Sequence, residues 1–173
     1  MSQYLKNAWL AFVEAGELAL KEDRLEEAAI HFQTALREAH TCENAERCFS
    51  TTFDLLADTF QRLNRLEQAE EASLRSLRIK QSSAFFSKAD VLRAMLTLSK
   101  IYSAQSKLGA AAYTTSRALQ LSEQTLGVSH PAVGFVAQQL VELYTALGSR
   151  KEAELINLRA YLVQRNRYQR ECA

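Results

Sequence analysis

Small, apolar and polar positions recur along this chain in one fixed frame. Four alanines, Ala28, Ala69, Ala111 and Ala153, are separated by steps of 41, 42 and 42 residues. Each opens on a polar or mixed run: Arg24-Leu-Glu-Glu-Ala28, Arg65-Leu-Glu-Gln-Ala69, Lys107-Leu-Gly-Ala-Ala111 and Arg150-Lys-Glu-Ala153. Twelve residues before each alanine stand Gly16, Ala57, Ser99 and Val141, and nine before it Ala19, Phe60, Tyr102 and Tyr144. Seven and eight residues after it come Ala35-Leu36, Ser76-Leu77, Ala118-Leu119 and Ala160-Tyr161. Such a frame fits paired helices that approach closely at small residues and fill the remaining space with leucine or an aromatic ring.

The pattern predicts eight helices in four antiparallel pairs, over about 3–21 and 24–40, 43–63 and 66–80, 86–105 and 107–125, and 131–147 and 150–170. One proline and five glycines in 173 residues leave long stretches without a breaker, whereas hairpins and sandwiches need turn residues at short intervals. Pro131 follows His130 at a first helical position, where its missing N–H costs nothing. Gly148 is placed to end the seventh helix and Ser149 to cap the eighth, with Asn64 and Ser106 at the matching turns.

The repeat resembles the tetratricopeptide repeat (TPR), most clearly in Gly16, Ala28, Phe32 and Ala35. Its step is longer than the standard unit of about 34 residues, and each pair accordingly gains about two helical turns. Leu126-Gly-Val-Ser-His-Pro-Ala-Val133, with Leu143-Tyr144 and Lys151-Glu-Ala-Glu154, resembles the 42-residue units of kinesin light chain. The likeness implies an all-α, right-handed superhelical solenoid forming one domain over 1–173, with units near 7–40, 48–80, 90–121 and 132–163 and a helical extension to about 170.

In such arrays the first helix of each pair lines a concave groove that holds a protein or peptide. Carried onto this chain, the first unit offers Glu17, Leu20 and Lys21, and the second Asp54, Leu55, Asp58, Gln61 and Arg62. The third offers Leu96 and Lys100, and the fourth Gln138, Gln139 and Glu142. Gln138 and Gln139 stand where kinesin light chain has paired asparagines, and their amides can donate to and accept from a ligand backbone. The competing account of these positions is a face kept polar by water alone.

A formal charge of +1 supplies no global field for nucleic acid or an anionic membrane. No apolar run approaches the roughly 18 residues that span a bilayer, and the first residues lack the charged and apolar regions of a secretory signal. Three cysteines, Cys42, Cys48 and Cys172, cannot all pair within one chain. They are expected to be reduced thiols of a cytoplasmic protein. Cys42, Cys48 and His40 lack the paired spacing of a metal site, and no phosphate loop or nucleophile motif is present. The expectation is therefore a non-enzymatic adaptor without cofactor or metal. One alternative is a unit that self-assembles through its terminal helices, with Trp9, Phe85 and Phe86 as the apolar residues to watch. A lesser alternative is nucleic-acid binding through Arg159, Arg165, Arg167 and Arg170 with Tyr161 and Tyr168.

Overall fold

The computed structural model describes residues 8–171, with side chains as far as Tyr161. The part of the first expected helix before Ala8, the side chains of Arg165, Arg167, Tyr168 and Arg170, and Cys172 lie outside the described residues. Eight α-helices are present among the described residues, and no strand. They are α1 (Ala8–Lys21), α2 (Leu25–Glu38), α3 (Ala45–Arg62), α4 (Leu66–Ser82), α5 (Lys88–Ala104), α6 (Leu108–Leu126), α7 (Pro131–Ala146) and α8 (Arg150–Glu171). A 3-10 turn, Ala39–Thr41, follows α2.

The chain divides into two compact units, Met1–Ser87 and Lys88–Ala173. In the first, α1 packs on α2, α2 on α3, and α3 on α4. In the second, α5 packs on α6, α6 on α7, and α7 on α8. The four aligned alanines are all buried, and so are Gly16, Ala57, Ser99 and Val141 twelve residues earlier.

In the first and third pairs that small residue faces the side chain four residues after the alanine, and the two sizes compensate. Gly16 faces Phe32, whose ring is fully buried and fills the volume that a side chain at 16 would need. Ser99 instead faces Thr115, and their hydroxyls lie 2.6 Å apart. Ser99 also donates to the carbonyl of Ala111 at 3.2 Å. The same close approach is thus achieved once by a glycine under a ring and once by two small hydroxyls.

The turn inside every pair has one geometry, used four times. Asp23, Asn64, Ser106 and Gly148 occupy the left-handed region with φ of 57°, 55°, 60° and 74°. Around each, two amides turn back to the preceding helix. Arg24 N–H reaches Ala19 O and Asp23 N–H reaches Leu20 O; Arg65 and Asn64 reach Phe60 and Gln61. Lys107 and Ser106 likewise reach Tyr102 and Ser103, and Ser149 and Gly148 reach Tyr144 and Thr145. This six-to-one and five-to-two pairing satisfies the last carbonyls of a helix and reverses the chain in two residues. The following helices start on Arg24, Arg65 and Lys107 without a side-chain cap. At α7 the Ala132 N–H donates to His130 Nδ1 at 3.2 Å, and Pro131 takes the first helical position.

Candidate interaction face

In the first unit the faces of interest belong to α1 and α3, which touch each other as well as their own partners. Trp9 of α1 donates through Nε1 to the Thr52 hydroxyl of α3 at 2.9 Å, and that hydroxyl donates to the Cys48 carbonyl at 2.7 Å. On α1, Glu17 and Lys21 are exposed and Leu20 is half-buried. On α3, Asp58 and Arg62 are exposed and paired at 3.0 Å, with Leu55 and Gln61 half-buried beside them. Half-buried leucines flanked by charges give a surface that can take both apolar and ionic contacts.

Asp54 behaves differently from its neighbours. Its carboxylate accepts from the Ser76 hydroxyl and from the Lys80 ammonium, each at 2.5 Å and both on α4. Ser76 also lies 3.2 Å from the Ser50 hydroxyl. The Lys80 side chain is only 8% exposed while that of Asp54 is 48% exposed, so the pair runs from the protein interior to its surface. Asp54 therefore ties α3 to α4, a role that a groove assignment does not convey.

The first turn of α3 gathers further contacts. The Asn44 side chain caps it by accepting from Arg47 N–H at 2.9 Å. The Ser83 hydroxyl donates to the Glu46 carboxylate, and the Arg47 guanidinium lies over the Phe85 ring at 5.7 Å from its centroid. Phe85 meets Phe86 edge to face. Phe85 thus remains about half exposed but is partly roofed by a cation.

Cys42 and Cys48 are bonded to each other. This corrects the expectation that the thiols are free. Counting cysteines over the whole chain could not reveal it, because the 3-10 turn after α2 folds the short loop back and sets Cys42 against the first turn of α3.

In the second unit Lys100 of α5 is exposed and Leu96 half-buried, and on α7 Gln138 and Glu142 are exposed with Gln139 half-buried. The Gln138 amide donates to the Glu142 carboxylate at 3.4 Å. In the basic segment at the end of the chain, Arg159 is paired with Glu123 of α6 at 2.9 Å. Arg24, in the turn after α1, has its pKa pushed up by its hydrogen bond to the Glu22 carboxylate, a surface interaction.

This is the fold of TPR-like helical repeat proteins. No family model matches the chain, and no curated protein matches it in sequence. Solved structures do. BtubC (BKLC) from P. vanneervenii superposes with a TM-score of 0.74 at 22% identity over 91% of this chain, which spans 63% of that one. A putative kinesin light chain with TPR-like repeats from Podosopora anserina gives a TM-score of 0.75 at 17% identity, covering 90% of this chain and 74% of its own. The apo form of RapI gives 0.77 at 13% identity, with 92% of this chain covered and 43% of that one. The resemblance to kinesin light chain units thus holds at the level of the fold. Among the described residues no helix is long and apolar enough to cross a membrane.

Proposed function

We propose that the chain is a non-enzymatic interaction module that holds an extended or helical segment of a partner protein on the first-helix faces. The observation that carries this reading is the surface of α1 and α3. Leu20 and Leu55 are half-buried there between Glu17, Lys21, Asp58 and Arg62. A purely solvated face has no need of leucines at those places. The second unit, taken by itself, carries similar chemistry in Leu96, Lys100, Gln138, Gln139 and Glu142, with amides able to read a backbone whatever its sequence. The likeness to TPR-like repeat structures supports this reading. A cytoplasmic setting belongs to the proposal too.

A second reading, assembly of the chain with itself through its last helix, is favoured by Leu155, Leu158 and Tyr161, all more than half exposed on α8. One repeat earlier the residue in the register of Tyr161 is Leu119 of α6, the helix that packs on α7, and it is buried.

Affinity capture from lysate tests both readings, comparing the wild-type chain with an Asp58→Lys/Lys100→Glu variant. Wild type is expected to retain a protein that the folded variant loses by tenfold or more, about 1.4 kcal/mol or greater. Equal retention by both would remove the site from these faces. Capture of a second, differently tagged copy and nothing else would put self-assembly first.

A further inference from the structure

We infer that Cys42 and Cys48 form a reversible thiol–disulfide site, served by a small thiol and its disulfide, that sets the order of the first turn of α3. Three observations converge on it.

The first is placement. The two Cα atoms lie 6.6 Å apart, one at the end of the 3-10 turn and the other in the first turn of α3. The bond closes a loop between residues only six positions apart, and it does not hold distant parts of the fold together. A short closure of this kind leaves the rest of the first unit packed when it opens.

The second is asymmetry. Cys42 is half-buried, whereas Cys48 is buried. A small thiol can therefore reach Cys42 and has little access to Cys48. Cys48 lies in the first turn of α3, its amide donating to Asn44 O. That arrangement suits Cys42 as the sulfur attacked and Cys48 as the sulfur released. The thiolate of the small molecule attacks Cys42 Sγ, the bond to Cys48 breaks, and Cys48 leaves as thiolate. A second small thiolate attacks the mixed disulfide, releasing Cys42 and the small disulfide. Two electrons pass to the protein, and the protons lost by the two small thiols end on Cys42 and Cys48. Oxidation by the small disulfide runs the same steps backwards.

The third is connection. The Cys48 carbonyl accepts from Thr52, and Thr52 accepts from Trp9 of α1. The same turn holds the linker after α4 through Glu46 with Ser83 and Arg47 with Phe85. Opening the bond frees the loop at a point where α1, α3 and that linker meet. The site stands apart from the partner reading; only its consequence for binding on the α1 and α3 faces rests on it.

Trp9 is the single tryptophan of the chain, and it supplies a reporter that needs no partner. The experiment uses the full chain carrying Cys172→Ser, equilibrated across ratios of reduced to oxidised glutathione. Trapping by alkylation and mass measurement counts free thiols, and Trp9 emission and amide exchange read the structure. Both thiols are expected to be protected together at oxidising ratios and released together at reducing ones. Trp9 emission should follow the same curve, and exchange over residues 45–48 should quicken roughly tenfold on reduction while α5 to α7 stay unchanged. In Cys42→Ser, and separately in Cys48→Ser, Trp9 emission and exchange over residues 45–48 should sit at the reduced values at every ratio, whether or not the remaining thiol takes up glutathione. Two alkylatable thiols at all ratios would overturn the assignment. A disulfide that forms without moving Trp9 emission or local exchange would overturn the coupling. A redox response surviving in both serine variants would do the same.

Discussion

Phe32→Ala is expected to lower the unfolding free energy by about 3–5 kcal/mol, as large-to-small changes of fully buried aromatics do. The ring is 0% exposed and lies against Gly16 of the paired helix, so its loss leaves a hole bounded by backbone that cannot collapse freely. Against a total of roughly 5–15 kcal/mol for a domain, this is a large fraction. The partner position sharpens the test. Gly16→Ala alone gains helix propensity but drives a methyl into the ring, for a net loss of about 1–2 kcal/mol. In the Phe32→Ala background the same methyl enters the vacated space, and its effect should become neutral or favourable. Urea unfolding of the four proteins gives the coupling directly, and additive losses would mean that the two residues do not share one volume.

The second large effect concerns Asp54 and Lys80. Asp54→Ala removes the carboxylate that accepts from Lys80 Nζ and leaves a lysine side chain only 8% exposed without that counter-charge. The expected loss is about 2–4 kcal/mol, somewhat below a fully buried pair because the Asp54 side chain is 48% exposed. Lys80→Met removes the buried charge and keeps the packing of the stem. Asp54 then retains Ser76 and water, and stability should stay within about 1 kcal/mol of wild type. Denaturant midpoints for the two variants decide this: equal losses would show that the ion pair itself, and not the stranded ammonium, carries the energy.

Much of the fold was legible because a repeat writes the same packing rule several times. The spacing of Ala28, Ala69, Ala111 and Ala153 located the helix pairs, and Pro131 and Gly148 located two ends. Asp23 gave no comparable signal. Aspartate is common on any surface, and only its alignment with Asn64, Ser106 and Gly148 marks it as a left-handed turn residue. Lys80 was missed for a related reason, since lysine is read as surface by default. Its register carried the warning: one repeat before stands Ala39 and one repeat after Ser122, both fully buried. A lysine at a position reserved for small buried residues requires an acid on the facing helix, and Asp54 answers it. The cysteine pair depended on the path of a few loop residues, which no helical periodicity specifies.

The compensation between Gly16 and Phe32 also limits how far the units can be treated as copies of one module. Averaging the four units into a consensus would draw the position of Gly16 towards alanine or serine and that of Phe32 towards serine or threonine. Each half of that average suits the second or third pair, yet transplanted singly into the first pair it yields either an overlap or a void. The heritable element here is the matched pair of sizes across two helices, so duplication or recombination within this chain preserves stability only when its crossover keeps both helices of a pair together.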